Sequence, residues 1–223
     1  MSHGCFISYK KEDKEKGHLK TITDRLFELK IPFSFLDKYI DSDNIDTVIS
    51  ILRRDYMNNK PVTLFLIGEN SYEDTKERWN RFYGYFVKHD EYNEQSFIIR
   101  ELRATLSDYD GNPRHGIVGI VMPEMEAKVF TGTYKCQHCG ATISSVIIDD
   151  STVVREFSEN YYLVPERPGC NHYSSEGRYC VLCKLSDFLI NPNKYIDEAY
   201  EKSQSKIAEK VHYKDIEHDY RLR

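Results

Sequence analysis

Glu101 and two CxxC pairs are the residues of this chain whose types and spacing invite chemistry. Glu101 lies in the stretch from Asn93 to Asp108. There Ile98, Leu102 and Leu106 recur every four residues with Ile99 beside them, the mark of a helix with one apolar face. The positions three and four residues from Glu101 hold Phe97, Ile98, Ala104 and Thr105, none of them basic. The helix therefore supplies no ion-pair partner at the spacing where helices do so. A carboxylate on the flank of an apolar face, without a local counter-charge, is either solvated or reserved for a ligand. The CxxC pairs are Cys136 with Cys139 and Cys180 with Cys183. Each can form a knuckle, and four thiolates make a closed tetrahedral zinc site that is structural and catalyses nothing. The 40 residues between the pairs exceed the roughly 15 to 20 of a zinc ribbon. Cys170, His138 and His172 are spare ligands, any of which could replace a cysteine; Cys5 reads as a strand residue.

These groups need a scaffold, and the first 123 residues predict one. Cys5 to Tyr9 is a short apolar run that ends in a charged loop. Leu19, Ile22, Leu26 and Leu29 space out as a helix that Pro32 ends, and Phe33 to Leu36 follows as a second strand. Asp37 to Asp43 is a polar loop. Ile45, Val48, Ile49, Leu52 and Tyr56 form the next helical stripe, with Asp43 as the expected N-cap. Val62 to Ile67 is apolar throughout, as in a strand buried on both faces. An additional helix is expected over Glu73 to Lys88, then the Glu101 helix, and Gly116 to Met122 is a fourth buried strand. Short apolar strands alternating with amphipathic helices imply an α/β fold, a parallel sheet covered on both faces. Such sheets bind ligands beyond the carboxyl ends of their strands. Neither GxGxxG nor a Walker A motif follows any strand.

Beyond Pro123 the pattern changes. Residues 124–190 hold the cysteines, with strands expected at Ile143 to Ile148 and Tyr161 to Val164, and read as a zinc-ribbon-like insertion. Asn193 to Lys210 is expected to be a last helix returning to the α/β layer. The domains are thus 1–123 with 191–211, the insertion 124–190, and a charged tail 212–223. The formal net charge of −5 argues against non-specific nucleic-acid binding. No apolar run approaches the roughly 20 residues of a membrane span, and the N-terminus lacks a signal-peptide core. A cytoplasmic location is expected, with the six cysteines as thiols or metal ligands rather than disulfides.

Cys5-Phe6-Ile7-Ser8-Tyr9, followed by a charged loop with Asp13, resembles the opening "FISY…D" of TIR domains. Phe97 to Glu101 resembles the TIR motif W-x-x-x-E with phenylalanine in the tryptophan's place. The run from Val62 to Asn70, followed by this helix, resembles more closely the TIR-like proteins of bacterial Thoeris antiphage systems. The resemblance covers residues 4–123 and the final helix; the segment Ser71 to Asn93 is longer than a minimal TIR connector. It implies a flavodoxin-like, three-layer fold and an enzyme that cleaves the nicotinamide–ribose bond of NAD. It implies Glu101 as the carboxylate that stabilises an oxocarbenium-like transition state. The product would be ADP-ribose or a cyclic or conjugated derivative that activates a partner effector after infection, and assembly into a homo-oligomer would complete the site. Phe6 and Ser8 at the first strand's end, Asp37, Asn70 and Ser71 at later strand ends, and Phe97 under the site are the expected substrate contacts. Asp37 and Asp43 suit solvated loop positions and helix caps better than ligand contacts, Asn70 and Ser71 suit an ordinary turn at least as well, and Ser8 suits a strand-end cap equally. Arg100 and Arg103 could meet a diphosphate but suit a solvated helix face better. The other class of function open to this chain is a non-catalytic TIR-like scaffold that recruits partners through its helices and zinc insertion.

Overall fold

A computed structural model describes residues 3–10, 17–37, 40, 42, 44–72, 97–108 and 112–212. In chain order these form β1 (Cys5–Ser8), α1 (His18–Glu28), β2 (Phe33–Phe35), α2 (Ile45–Ile51), β3 (Val62–Ile67), α3 (Phe97–Leu106), β4 (Gly116–Val121) and α4 (Pro123–Val129). Then come β5 (Phe130–Lys135), β6 (Thr142–Val146), α5 (Arg155–Tyr161), β7 (Val181–Lys184), α6 (Leu185–Ile190) and α7 (Pro192–Ser203). The predicted Glu73 to Lys88 helix, Asp43 and the tail beyond His212 lie outside the described residues. Among those residues, no helix is long and apolar enough to cross a membrane.

Five strands form a parallel sheet in the order β2-β1-β3-β4-β7. This is the flavodoxin-like order, in which the chain first steps to one side of β1 and then to the other. The alternation of the strands sorts their side chains into two cores. Phe65, Ile67, Ile117 and Val121 face Ile98, Leu102 and Leu106 of α3 and Phe157 and Tyr161 of α5. Ile7, Leu64, Leu66, Val118 and Ile120 face Leu19, Ile22 and Leu26 of α1 and Ile196 and Ala199 of α7. The sheet is therefore covered on both faces, which matches the burial of every residue from Val62 to Ile67. A third cluster joins Phe6 of β1 to Val48, Ile49, Leu52 and Met57, and to Ala104 of α3.

Local sequence accounts for most boundaries and for several differences from expectation. The α2 helix is capped by Asn44, one position beyond the expected cap, and the Asn44 side chain accepts from the Thr47 amide at 3.0 Å. The helix continues through a π-helical turn, Leu52–Tyr56. The last helix stops at Ser203, and a short 3₁₀ segment, Lys206–Lys210, follows. Tyr161 to Val164 is not a strand: Tyr161 ends α5, and the Leu163 and Val164 amides donate to the Gly177 carbonyl. The domain boundaries also move. The fifth strand and the helix after it fall within 124–190, because Val181–Lys184 pairs with Val118–Val121 of β4 and Leu185 and Phe188 enter the core. Only the β5–β6 hairpin and the loops up to about residue 180 stand apart from the sheet's own elements, and α5 within that span still covers one sheet face.

Gly116 lets α7 cross β4 closely. A Cβ built there would lie 2.0 Å from the Ala199 carbonyl oxygen, and a backbone atom cannot yield as a side chain can. Gly116→Ala is expected to lower stability by about 2–3 kcal/mol, measured as a fall in the denaturant midpoint with the slope unchanged.

Candidate functional site

The sheet reverses its direction of growth between β1 and β3, and doubly wound sheets bind ligands in the crevice beyond that point. Ser8 ends β1 on the side of Phe6, facing α3. Its hydroxyl donates to Glu101 Oε2 at 2.6 Å. Glu101 is therefore not on a solvated helix flank. It is 4% exposed, and burial pushes its carboxyl up to about 8, while the Ser8 hydrogen bond pulls it back down. A carboxyl in these surroundings is uncharged at neutral pH until a cation or a donor arrives to hold the anion.

The helix that presents Glu101 is pinned to the sheet. The Thr105 hydroxyl donates to the Glu101 carbonyl at 2.9 Å and lies 2.9 Å from the Thr63 hydroxyl on β3. Since Thr105 uses its proton on the carbonyl, Thr63 must donate to Thr105. This chain of hydroxyls fixes the rotation of α3 one turn from the carboxyl.

The other expected substrate contacts divide. Phe6 is fully buried beneath the site, and half-buried Phe97 packs against the same cluster. Both shape its floor. Asp37 is exposed and Asn70 half-buried in the turn after β3. Ser71 is committed elsewhere: buried, its hydroxyl donates to the Leu66 carbonyl and accepts from the Gly68 amide. It clamps the turn, with its only proton spent on the Leu66 carbonyl and no surface open to a substrate, which corrects that assignment. Arg100 and Arg103 are not a solvated face either. Arg100 is buried with its guanidinium 5.7 Å from the Phe97 ring, and Arg103 pairs with Glu156 at 2.9 Å. Tyr9 was not expected at the site. Its hydroxyl is pushed up by burial and by the nearby Glu101 and Asp37 carboxylates. The signal for it lay in the short polar end of the Phe6-Ile7-Ser8-Tyr9 run, where the chain leaves the sheet beside Ser8.

The metal ligands also need correction. Cys136 and Cys139 meet Cys170 and His172, and the four ligand atoms lie within 4.8 Å of one another. Cys139 Sγ and His172 Nε2 are 3.2 Å apart. Such a cluster can hold a metal ion. The hairpin end supplies a knuckle: the Gly140 amide donates to the Cys136 carbonyl, with Gly140 at φ 75. Backbone amides of Cys139 and then His138 are turned on Cys136 and draw its thiol down to about 6, against a burial effect of opposite sign. The opposing ligands come from the turn after Pro168, where the Cys170 amide donates to the Arg167 carbonyl. Across the gap the Tyr134 hydroxyl donates to the Asn171 carbonyl at 3.0 Å. His138 is not in the cluster; Gly169 packs against its ring.

Cys180 and Cys183 cannot join this cluster. Cys180 immediately precedes β7 and Cys183 lies within it. Residues three apart in extended chain point to opposite faces. Cys180 enters the core on the α3 side and Cys183 the core on the α1 side, and burial pushes both thiols up. No protein-family model matches this chain, and no curated protein matches it.

Proposed function

We propose that this protein is a TIR-like NAD-consuming enzyme that breaks the nicotinamide–ribose bond, with Glu101 as the carboxylate that meets the ribose. The observation that carries the reading is the Ser8–Glu101 pair: a buried carboxyl held by one hydroxyl where a doubly wound sheet would take its ligand. The resemblance of Phe6 to Tyr9 and of Phe97 to Glu101 to TIR motifs supports the same assignment. Nicotinamide leaves a cationic ring as a neutral molecule, so the reaction needs no acid for the leaving group. It needs an anion beside the ribosyl carbon as positive charge builds there. A carboxyl that sheds its proton only for a cation suits that task.

In this reading the product is ADP-ribose or a cyclic or conjugated relative that signals to a partner effector in antiviral defence within the cytoplasm. The Cys136, Cys139, Cys170 and His172 set is the soft, tetrahedral donor set of structural zinc. With all four positions taken by protein, the ion would tie the hairpin to the 163–179 loop and take no part in bond cleavage. A second reading, a non-catalytic interaction module, draws on one observation: the β5–β6 hairpin carries mostly exposed or half-exposed residues outside the sheet.

Incubation of the purified chain with NAD, alone and with an infected-cell lysate, tests the choice by mass spectrometry of the products. Nicotinamide release is expected, and Glu101→Gln should lower it by about 10²–10³-fold. Release that survives in Glu101→Gln, or none from the wild type in either condition, removes the enzymatic reading.

A further inference from the structure

A second acid–base pair, His18 with Glu124, stands at the carboxyl edge of the sheet. His18 opens α1 directly after Gly17, which takes the left-handed conformation at φ 78. Glu124 lies in the first turn of α4, just beyond β4. Their side chains meet, His18 Nε2 to Glu124 Oε2, at 3.1 Å. The contact links the segments that leave β1 and β4, two strands with β3 between them. It therefore spans roughly 10 Å of sheet edge, two strand spacings, over the end of β3. Each side chain keeps about a fifth of its surface open, 20% for His18 and 19% for Glu124, so the pair is neither buried packing nor a fully solvated surface contact.

The arrangement has the logic of a carboxylate-oriented imidazole. Glu124 accepts from Nε2–H, which leaves the lone pair on Nδ1. Among the described residues nothing engages His18 Nδ1. The position is complementary to that of Glu101. Ser8 and Glu101 lie on the sheet face that carries α3, whereas α1, with His18 at its head, packs on the opposite face. The two pairs thus stand at the carboxyl end of the sheet on its opposite faces.

We propose that His18, oriented by Glu124, is the general base that activates the acceptor in the reaction proposed above, and that the acceptor is an oxygen nucleophile. The inference rests on the NAD-cleaving reading. The acceptor oxygen forms its bond to the ribosyl carbon as the carbon–nitrogen bond breaks and that electron pair returns to the nicotinamide ring. The acceptor's proton passes to His18 Nδ1 and on to water. Glu101 holds the ribosyl cation on one side; His18 removes the proton on the other.

This division of labour separates two reactions that a structural role would not. Water and alcohols must lose a proton to attack, but an added pyridine attacks through a free lone pair and needs no base. With the full-length chain, NAD, and either methanol or 3-acetylpyridine as acceptor, His18→Gln should lower hydrolysis and methanol transfer by about 10²-fold. Exchange of nicotinamide for the pyridine should stay within about twofold of wild type. Glu124→Gln should show the same split in weaker form, and added imidazole should restore methanol transfer in His18→Ala. Equal loss of both routes, or loss of neither, overturns the assignment. Failure of the Glu101 assignment shows differently, as hydrolysis and pyridine exchange that both survive in Glu101→Gln. If the wild type transfers to no acceptor, the NAD-cleaving reading falls and this inference with it.

Discussion

Above about pH 8, Glu101→Gln is expected to be more stable than the wild type by about 2–5 kcal/mol, and the difference should vanish towards pH 4.5. The reason is proton linkage. The carboxyl titrates near its ordinary value of 4.5 when unfolded, and burial raises it to about 8 in the fold. Between those values the folded chain holds a proton that the unfolded chain has released, so stability falls as pH rises. Each pH unit across the window costs about 1.4 kcal/mol, and full burial of the ionised group would accumulate about 5 kcal/mol. Entry of water beside the ionised group lowers this, which sets the bottom of the range. Below the unfolded value both states are protonated and no penalty remains. Glutamine keeps the shape and can still accept from Ser8, but it never ionises. Urea unfolding of both proteins across this pH range checks the result; parallel stability curves would mean that Glu101 is solvated. The comparison bears on function as well. A group that destabilises the fold at neutral pH and is cheaply replaced suits a chemical task better than a packing one.

The wild-type chain is expected to bind one zinc ion, and Cys170→Ser or His172→Ala to bind none at matched metal concentration. Cys180→Ser and Cys183→Ser should retain the ion while losing core stability. Native mass spectrometry with metal analysis separates the four variants. The effect is large because closed thiolate and imidazole sites release about 10–16 kcal/mol on binding zinc in small peptides, and removal of one ligand opens the site. Chelation of the wild type should accelerate hydrogen exchange in the β5–β6 hairpin and the 163–179 loop, with the β1, β3 and β4 strands unaffected. A result in which Cys180→Ser abolishes binding and Cys170→Ser preserves it would require the hairpin to dock elsewhere.

Much of the sheet could be read in advance because its strands are unambiguous. Val62 to Ile67 and Gly116 to Val121 are apolar at every position but Thr63, a pattern that suits a strand covered on both faces. The stripe of Leu19, Ile22 and Leu26 likewise matched the buried face of α1. The position of Glu101 on α3 followed from periodicity, but its burial did not: helical spacing says which face a residue shares and not how far the next layer reaches over it. The metal ligands differ from the expected set because two different structures write the same short motif. In Tyr179-Cys180-Val181-Leu182-Cys183 the cysteines stand among apolar neighbours and are core residues of a strand. Cys170 stands after Pro168 and Gly169, where the chain can turn to face a partner. Local composition carried the distinction that the CxxC spacing concealed. The His18–Glu124 pair had no local signature at all, since its members are 106 positions apart in sequence and only the strand order joins them.

One edge strand of the sheet, β7, is reached only after the chain has been away from β4 for about 60 residues. Closing so long an excursion costs chain entropy before any β4–β7 pairing compensates it. A bound ion that cross-links Cys136 to His172 would cut the excursion to under half its length, a gain of less than about 1 kcal/mol. That is too little to decide whether the strand adds, so its attachment must come from its own ladder and from Cys183 and Leu185 in the core. The β1–β3 seam that bears Ser8 lies between the two edge strands, β2 and β7, and is expected to exchange its amide hydrogens more slowly than either edge.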